Sequence, residues 1–367
     1  DYGIGFWGAH GHDALWHLSL IESIKSGLPV INPVFAGEVL GNYHFFYDLL
    51  LASVSNLTKI PPVDLYFRYF PLILSLLMGA VVYILANIWF RSRVAANLAI
   101  FFIYFGGSFG WIVSYFKNKS LGGETLFWAQ QGISTFINPP FAISILLFLT
   151  GLSLFNKLVS QKQYRVADII PLVLVWGVLI EFKAYGGLLV LGALAIVTIF
   201  ELLKRNLSFL KISLPTGLLS LLVFLPNNLN STSLLVFSPF WLIHSMIESP
   251  DRVGWYRLQL AKMAGEQGGN WFKFFAAEVI GLIVFIGGNL GTRVVGSVAF
   301  KKILPLNSFK LFIGSFLTFS VIIPLLFIQK GASFNIIQFF YYFLVVFSFL
   351  AAYSLAILIT KNKKIGL

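Results

Sequence analysis

The chain has 367 residues, 58% of them hydrophobic and only 11% charged, with a net charge of +12 and a mean hydropathy of +0.85. A water-facing surface needs roughly a quarter charged residues, so this composition excludes a soluble globular protein. The absence of cysteine excludes disulfides, thiolate catalysis and Cys-ligated zinc.

Taken in order, the chain opens with a mixed region, residues 1–68, that holds four of the five histidines: His10, His12, His17 and His44. It starts Asp1-Tyr2-Gly3 without Met or a basic–apolar leader, so a further hydrophobic segment upstream is expected. Leu15, Leu18, Ile21 and Ile24, with Ser19, Glu22 and Lys25 between them, predict an amphipathic helix over 13–26, stopped by Gly27-Leu28-Pro29. A second is expected over 43–57, ending before Pro61-Pro62, with a turn-rich loop between. Both are too polar to span and read as helices lying on the membrane surface.

About nine spanning helices follow, over 69–90, 94–116, 139–156, 167–182, 184–203, 209–226, 272–291, 308–328 and 334–360. The fold class is therefore all-α, a polytopic membrane protein divided into a first loop (1–68) and a helical bundle (69–367). With residues 1–68 placed outside, the inward loops hold fifteen basic residues, Arg293 among them, against Asp168 and Glu201. The outward side holds eleven basic and twelve acidic residues. That is the positive-inside pattern, so the charge is a topology signal and nucleic acid is excluded as a partner. The long loops, 117–138 and 227–271 included, then share the non-cytoplasmic face, and the C-terminus is cytoplasmic. Leu234–Ile247 reads as a half-buried or re-entrant segment. No inverted pair of broken helices is visible.

The candidate chemistry gathers outside. Asp13, beside His12 and Trp16, reads either as a helix cap or as a carboxylate that takes a proton from an acceptor hydroxyl. His10, His12 and His17 raise a divalent metal, although their spacing matches no metal signature. Tyr43-His44 stands at a helix start, and Asp48, four residues after His44, can pair with it on one face. Lys183, in Glu181-Phe182-Lys183-Ala184-Tyr185, occupies a tight turn between two spans, where it can grip a phosphate or pair with Glu181. Arg68 is a further phosphate candidate, and Asn335 and Gln338 stand at the outer mouth of the last span. Asn138-Pro139-Pro140 reads as a structural helix start.

His12-Asp13-Ala14-Leu15-Trp16-His17, then Ser26-Gly27-Leu28-Pro29, Asn42-Tyr43-His44-Phe45-Phe46-Tyr47 and Arg68-Tyr69-Phe70-Pro71 together resemble the first outer loop of GT-C type membrane glycosyltransferases. The resemblance implies an enzyme that uses a sugar on a polyprenyl phosphate as donor, in the cell membrane, with Asp13 as the catalytic acidic residue. The substrate site it suggests comprises His12, His17, Tyr43, His44, Arg68, Lys183, Tyr185, Asn335 and Gln338. The chain departs from the pattern in two ways: Ala14 stands where many members carry a second acid, and no soluble domain follows the last span. Metal and acceptor therefore stay open. The competing readings are a membrane transporter or lipid flippase, which calls for charges at mid-span, and an assembly or anchoring protein. The spans are almost free of central acids, Glu278 being the exception.

Overall fold

The computed structural model describes residues 13–161, 164–228, 235–303 and 307–361. It is overwhelmingly helical, with one two-stranded antiparallel ribbon. Among the described residues, eight helices are long and apolar enough to cross a membrane: Pro62–Phe90, Arg93–Asn118, Pro139–Val159, Ala184–Leu203, Leu207–Asn228, Trp271–Ala299, Ser308–Leu326 and Ser333–Thr360. The chain is thus a multi-pass membrane protein by composition and by helix length. The expected span at 167–182 is not among the eight. It is split into Val166–Gly177, with Pro171 inside, and the single turn Leu179–Phe182. Twelve residues rise only about 18 Å, short of the roughly 30 Å hydrocarbon core.

The chain forms two compact units, one of Asp1–Ile88 with Thr135–Thr232, the other of Trp89–Ser134 with Ser233–Leu367. In the first unit, helix α1 runs over Asp13–Ser26 and α2 over Phe46–Thr58. On α1 the buried positions Ala14, His17, Ile21 and Ile24 recur every three or four residues, so one face meets the core. Gly27, at a φ of 137° that favours glycine, ends the helix. On α2 the buried face is Tyr47, Asp48, Leu51, Ala52 and Ser55, and Lys59 closes the helix in the left-handed conformation.

The two faces share one core with Leu65, Tyr66, Leu74, Ala142 and Ile143. Each large apolar side chain buried there contributes about 1.5–3 kcal/mol. The first-loop helices are therefore packed onto the bundle of their unit through these faces. The second helix begins three residues later than expected. Asn42 takes a left-handed φ of 58° and donates its amide to the Asn227 carbonyl at 2.7 Å. The Asn227 side-chain amide in turn donates to the Tyr43 carbonyl, which holds Tyr43 outside the helix.

In the second unit, β1 (Leu235–Phe237) pairs with β2 (Phe327–Gln329), and helix Trp241–Glu248 buries Leu242, Ile243, Met246 and Ile247. Of the stretch expected to be half-buried, only this helix is; β1 is exposed, and Leu234 lies outside the described residues. Two spans of this unit are interrupted: Arg93–Phe105 gives way at Gly106 before Gly110–Asn118, and Trp271–Leu290 gives way at Gly291. The Phe109 amide donates to the Gly288 carbonyl at 2.8 Å, so the interruptions meet. Arg293, expected in an inward loop, is instead buried beside them. Its Nε donates to Ser348 Oγ, Nη1 to Gln131 Oε1 and Nη2 to the Gly106 carbonyl, at 2.9, 2.7 and 3.0 Å. Neither interruption is expected from the sequence, where both segments read as continuous spans.

Candidate functional site

The candidate polar residues of the first unit converge from four places in the chain. The first is the start of α1. Asp13 lies there, exposed, and acts electrostatically on Tyr43 and on Lys183. One turn on, His17 turns into the core and its Nδ1 lies 2.9 Å from Asp48 Oδ1. The second is the turn before α2, where Tyr43 stacks on His44 with ring centroids 4.8 Å apart and planes 18° from parallel. Trp16 meets Tyr43 edge-on at 5.4 Å. The third is the foot of the first long span, which brings Tyr66 to 6.0 Å from the His17 ring.

The fourth is the turn after Leu179–Phe182. Lys183 is a single extended residue there, with φ −160° and ψ 113°, between that turn and helix Ala184–Leu203. It is 6% exposed, with its Nζ 5.9 Å from the Tyr185 ring centroid. Phe182 packs against Phe46 of α2, which ties this turn to the first loop.

Burial sets the charge states. Desolvation lowers the Lys183 ammonium to about 8, and the Asp13 carboxylate opposes that shift. His44 is held well below the ordinary imidazole range by burial and then by the Lys183 ammonium, so it is neutral at pH 7. The Tyr43 phenol is raised by burial and then by the Asp48 charge, and stays protonated. Asp48 is raised by burial, against which His17 pulls it down. Glu181 is fully buried, with no ion-pair partner among the described residues; only the Phe45 backbone amide favours its charged form. Burial pushes it up to about 8.

Several expectations are corrected here. Asp48 pairs with His17 and not with His44, because His44 precedes the helix and the four-residue spacing places two side chains on one face only inside it. Glu181 does not pair with Lys183: it ends a helical turn, where side chains two residues apart point to different sides. Arg68 lies in a π-helical turn, 73% exposed, paired with Asp64 at 2.9 Å, and is not gathered into the cluster. Asn335 and Gln338 are half-buried residues of the second unit. His10 and His12 lie outside the described residues, and among those no three His, Asp or Glu side chains converge to hold a metal.

Sequence reasoning missed the dyad of His17 and Asp48 and the burial of Glu181. One signal was available for the first: Asp48 is a charged residue on the apolar face of α2. Compared with protein families, with curated proteins and with solved structures, the chain matches none.

Proposed function

We propose that the chain is a membrane glycosyltransferase that moves a sugar from a polyprenyl-phosphate donor to an acceptor hydroxyl on the non-cytoplasmic face. The observation that carries this reading is a buried ammonium, Lys183, within electrostatic reach of an exposed carboxylate, Asp13, with the neutral imidazole of His44 beside it. A lipid-phosphate sugar presents its leaving group at the membrane boundary. A desolvated cation there stabilises the phosphate charge that develops as the sugar–phosphate bond breaks. The acceptor oxygen attacks the sugar carbon, the bonding pair leaves with the phosphate, and Asp13 takes the acceptor proton. Tyr43, His44 and Tyr185 offer hydroxyl and imidazole partners to the sugar. No metal step is needed in this scheme, because the cation is supplied by the chain.

The test is release of polyprenyl phosphate from a panel of polyprenyl-phosphate sugars by the purified protein, with and without chelator. Asp13→Asn is expected to cut turnover about 10²–10⁴-fold, the usual worth of a positioned base. Lys183→Ala is expected to weaken the donor. Wild-type turnover in the double variant would sink the proposal.

A transporter or flippase is the second reading, favoured by one set of observations in the second unit. Interrupted spans that meet at Gly106 and Gly291, with the buried cation Arg293 beside them, are the kind of architecture in which transporters hold a substrate. Movement of a lipid-phosphate sugar across sealed vesicles without its cleavage would decide for it.

A further inference from the structure

We propose that His17, fixed by Asp48, is the proton relay of the site: it receives from Asp13 the proton that Asp13 takes from the acceptor. The inference rests on the transfer reaction proposed above. His17 follows Asp13 by four residues on α1, which places the two on one face of the helix, with about 5–6 Å between their Cβ atoms.

Asp48 arrives from the other helix of the first loop and meets His17 Nδ1 at 2.9 Å. A carboxylate only accepts, so Nδ1 carries the hydrogen and the lone pair of the neutral ring is on Nε2. No described residue hydrogen-bonds Nε2. The ring is held in place by Tyr66, tilted 26° at 6.0 Å, and by Tyr47, edge-on at 6.3 Å. It therefore presents a fixed basic nitrogen.

Packing does not call for this arrangement. Asp48 is wholly buried, and its Oδ2 and the neighbouring Tyr47 hydroxyl lack hydrogen-bond partners among the described residues. A buried charged pair of this kind is replaced by apolar side chains at little or no loss of stability. What the carboxylate does provide is a counter-charge for an imidazolium. The step balances: the acceptor O–H proton passes to an Asp13 oxygen and then to His17 Nε2, and the imidazolium charge faces Asp48. The bonding pair departs with the phosphate in the transfer step, and the ring afterwards releases the proton to water. The other titratable groups around the ring are the phenols of Tyr43, Tyr47 and Tyr66 and the imidazole of His44. Asp48 and His17 are positioning and relay groups, and neither touches the sugar.

The test has an arm that needs no turnover. ¹⁵N-histidine spectra of the purified protein are expected to show His17 with Nδ1 protonated and Nε2 bare. The opposite tautomer would overturn the relay even if every variant failed to fold. In the second arm, His17→Gln and Asp48→Asn are each expected to lower kcat at least tenfold with the donor KM unchanged. A structural defect would instead move KM and yield together. Full kcat in His17→Gln would overturn the relay and leave the transfer reading standing. Absence of donor turnover by the wild-type protein would overturn both.

Discussion

Glu181→Gln is the substitution whose effect follows most directly from burial. The carboxyl has no exposed surface and no ion-pair partner among the described residues, and burial, opposed only by the Phe45 amide, raises its pKa from 4.5 to about 8. The folded chain therefore holds a proton that the unfolded chain has lost over the interval between those values. The sign follows: the folded-state pKa is raised, so stability is full below pH 4.5 and declines as pH rises through about 8. At 1.36 kcal/mol per pKa unit, the penalty is roughly 1 kcal/mol at pH 5 and roughly 4 kcal/mol at pH 8. Glutamine keeps the shape and never ionises. Its own unpartnered amide costs about 1–3 kcal/mol at either pH, so the difference between the two conditions is the informative quantity. Denaturant unfolding of wild type and variant in detergent at both pH values should show the variant gaining about 3 kcal/mol relative to wild type on going from pH 5 to pH 8. A difference that does not change with pH would mean that Glu181 is ionised with a partner, and would refute the reasoning.

Two further outcomes follow from single residues. The Lys183 ammonium is charged below about 8 and neutral above it, so the donor KM should rise through that pH. The rise should be on the order of tenfold, the worth of a charged hydrogen bond, and Lys183→Arg should move it to higher pH; a flat profile from about pH 7 to 10 would remove Lys183 from phosphate binding. Gly291→Ala should prevent the second unit from closing. The residue has a φ of 53°, and a Cβ built there runs into the Gly107 carbonyl. Its folded yield is expected to fall below that of Gly287→Ala, where a Cβ meets open space, and equal yields would contradict the close approach.

Much of this architecture is legible in the sequence, and the places where it is not have local causes. The bounds of α1 can be read directly, because its apolar period and its Gly27 stop agree. The start of α2 cannot. Tyr43 and His44 look helical until Asn227, far along the chain, captures the backbone of Asn42 and Tyr43. The segment at 167–182 has the hydropathy of a span, but Pro171 and the break after Gly177 divide it, and only the paths of its neighbours decide how such a break is used. Within the candidate site, Asp13, His17, Tyr43, His44 and Lys183 stand out because polar residues are conspicuous in so apolar a chain. The partner of His17 does not, since 31 residues separate it from Asp48 and periodicity reports nothing at that range. Arg293 misled for a related reason. A basic residue just beyond a hydrophobic run reads as a loop charge, and its burial depends on acceptors at Gly106, Gln131 and Ser348.

That distribution of acceptors bears on how the chain is made. Gly106 and Gln131 leave the ribosome well before Arg293, whereas Ser348 belongs to the last described helix, Gln338–Lys361. Arg293 stands near the end of its span, where an arginine costs less at insertion than the roughly 2.5–3.5 kcal/mol it costs at the centre. Part of that cost is met by partners already waiting in the membrane, and the Ser348 contact forms only when the C-terminal helix arrives. Assembly of the second unit thus has a built-in order: a nascent chain that stops short of residue 338 carries a guanidinium with one contact missing.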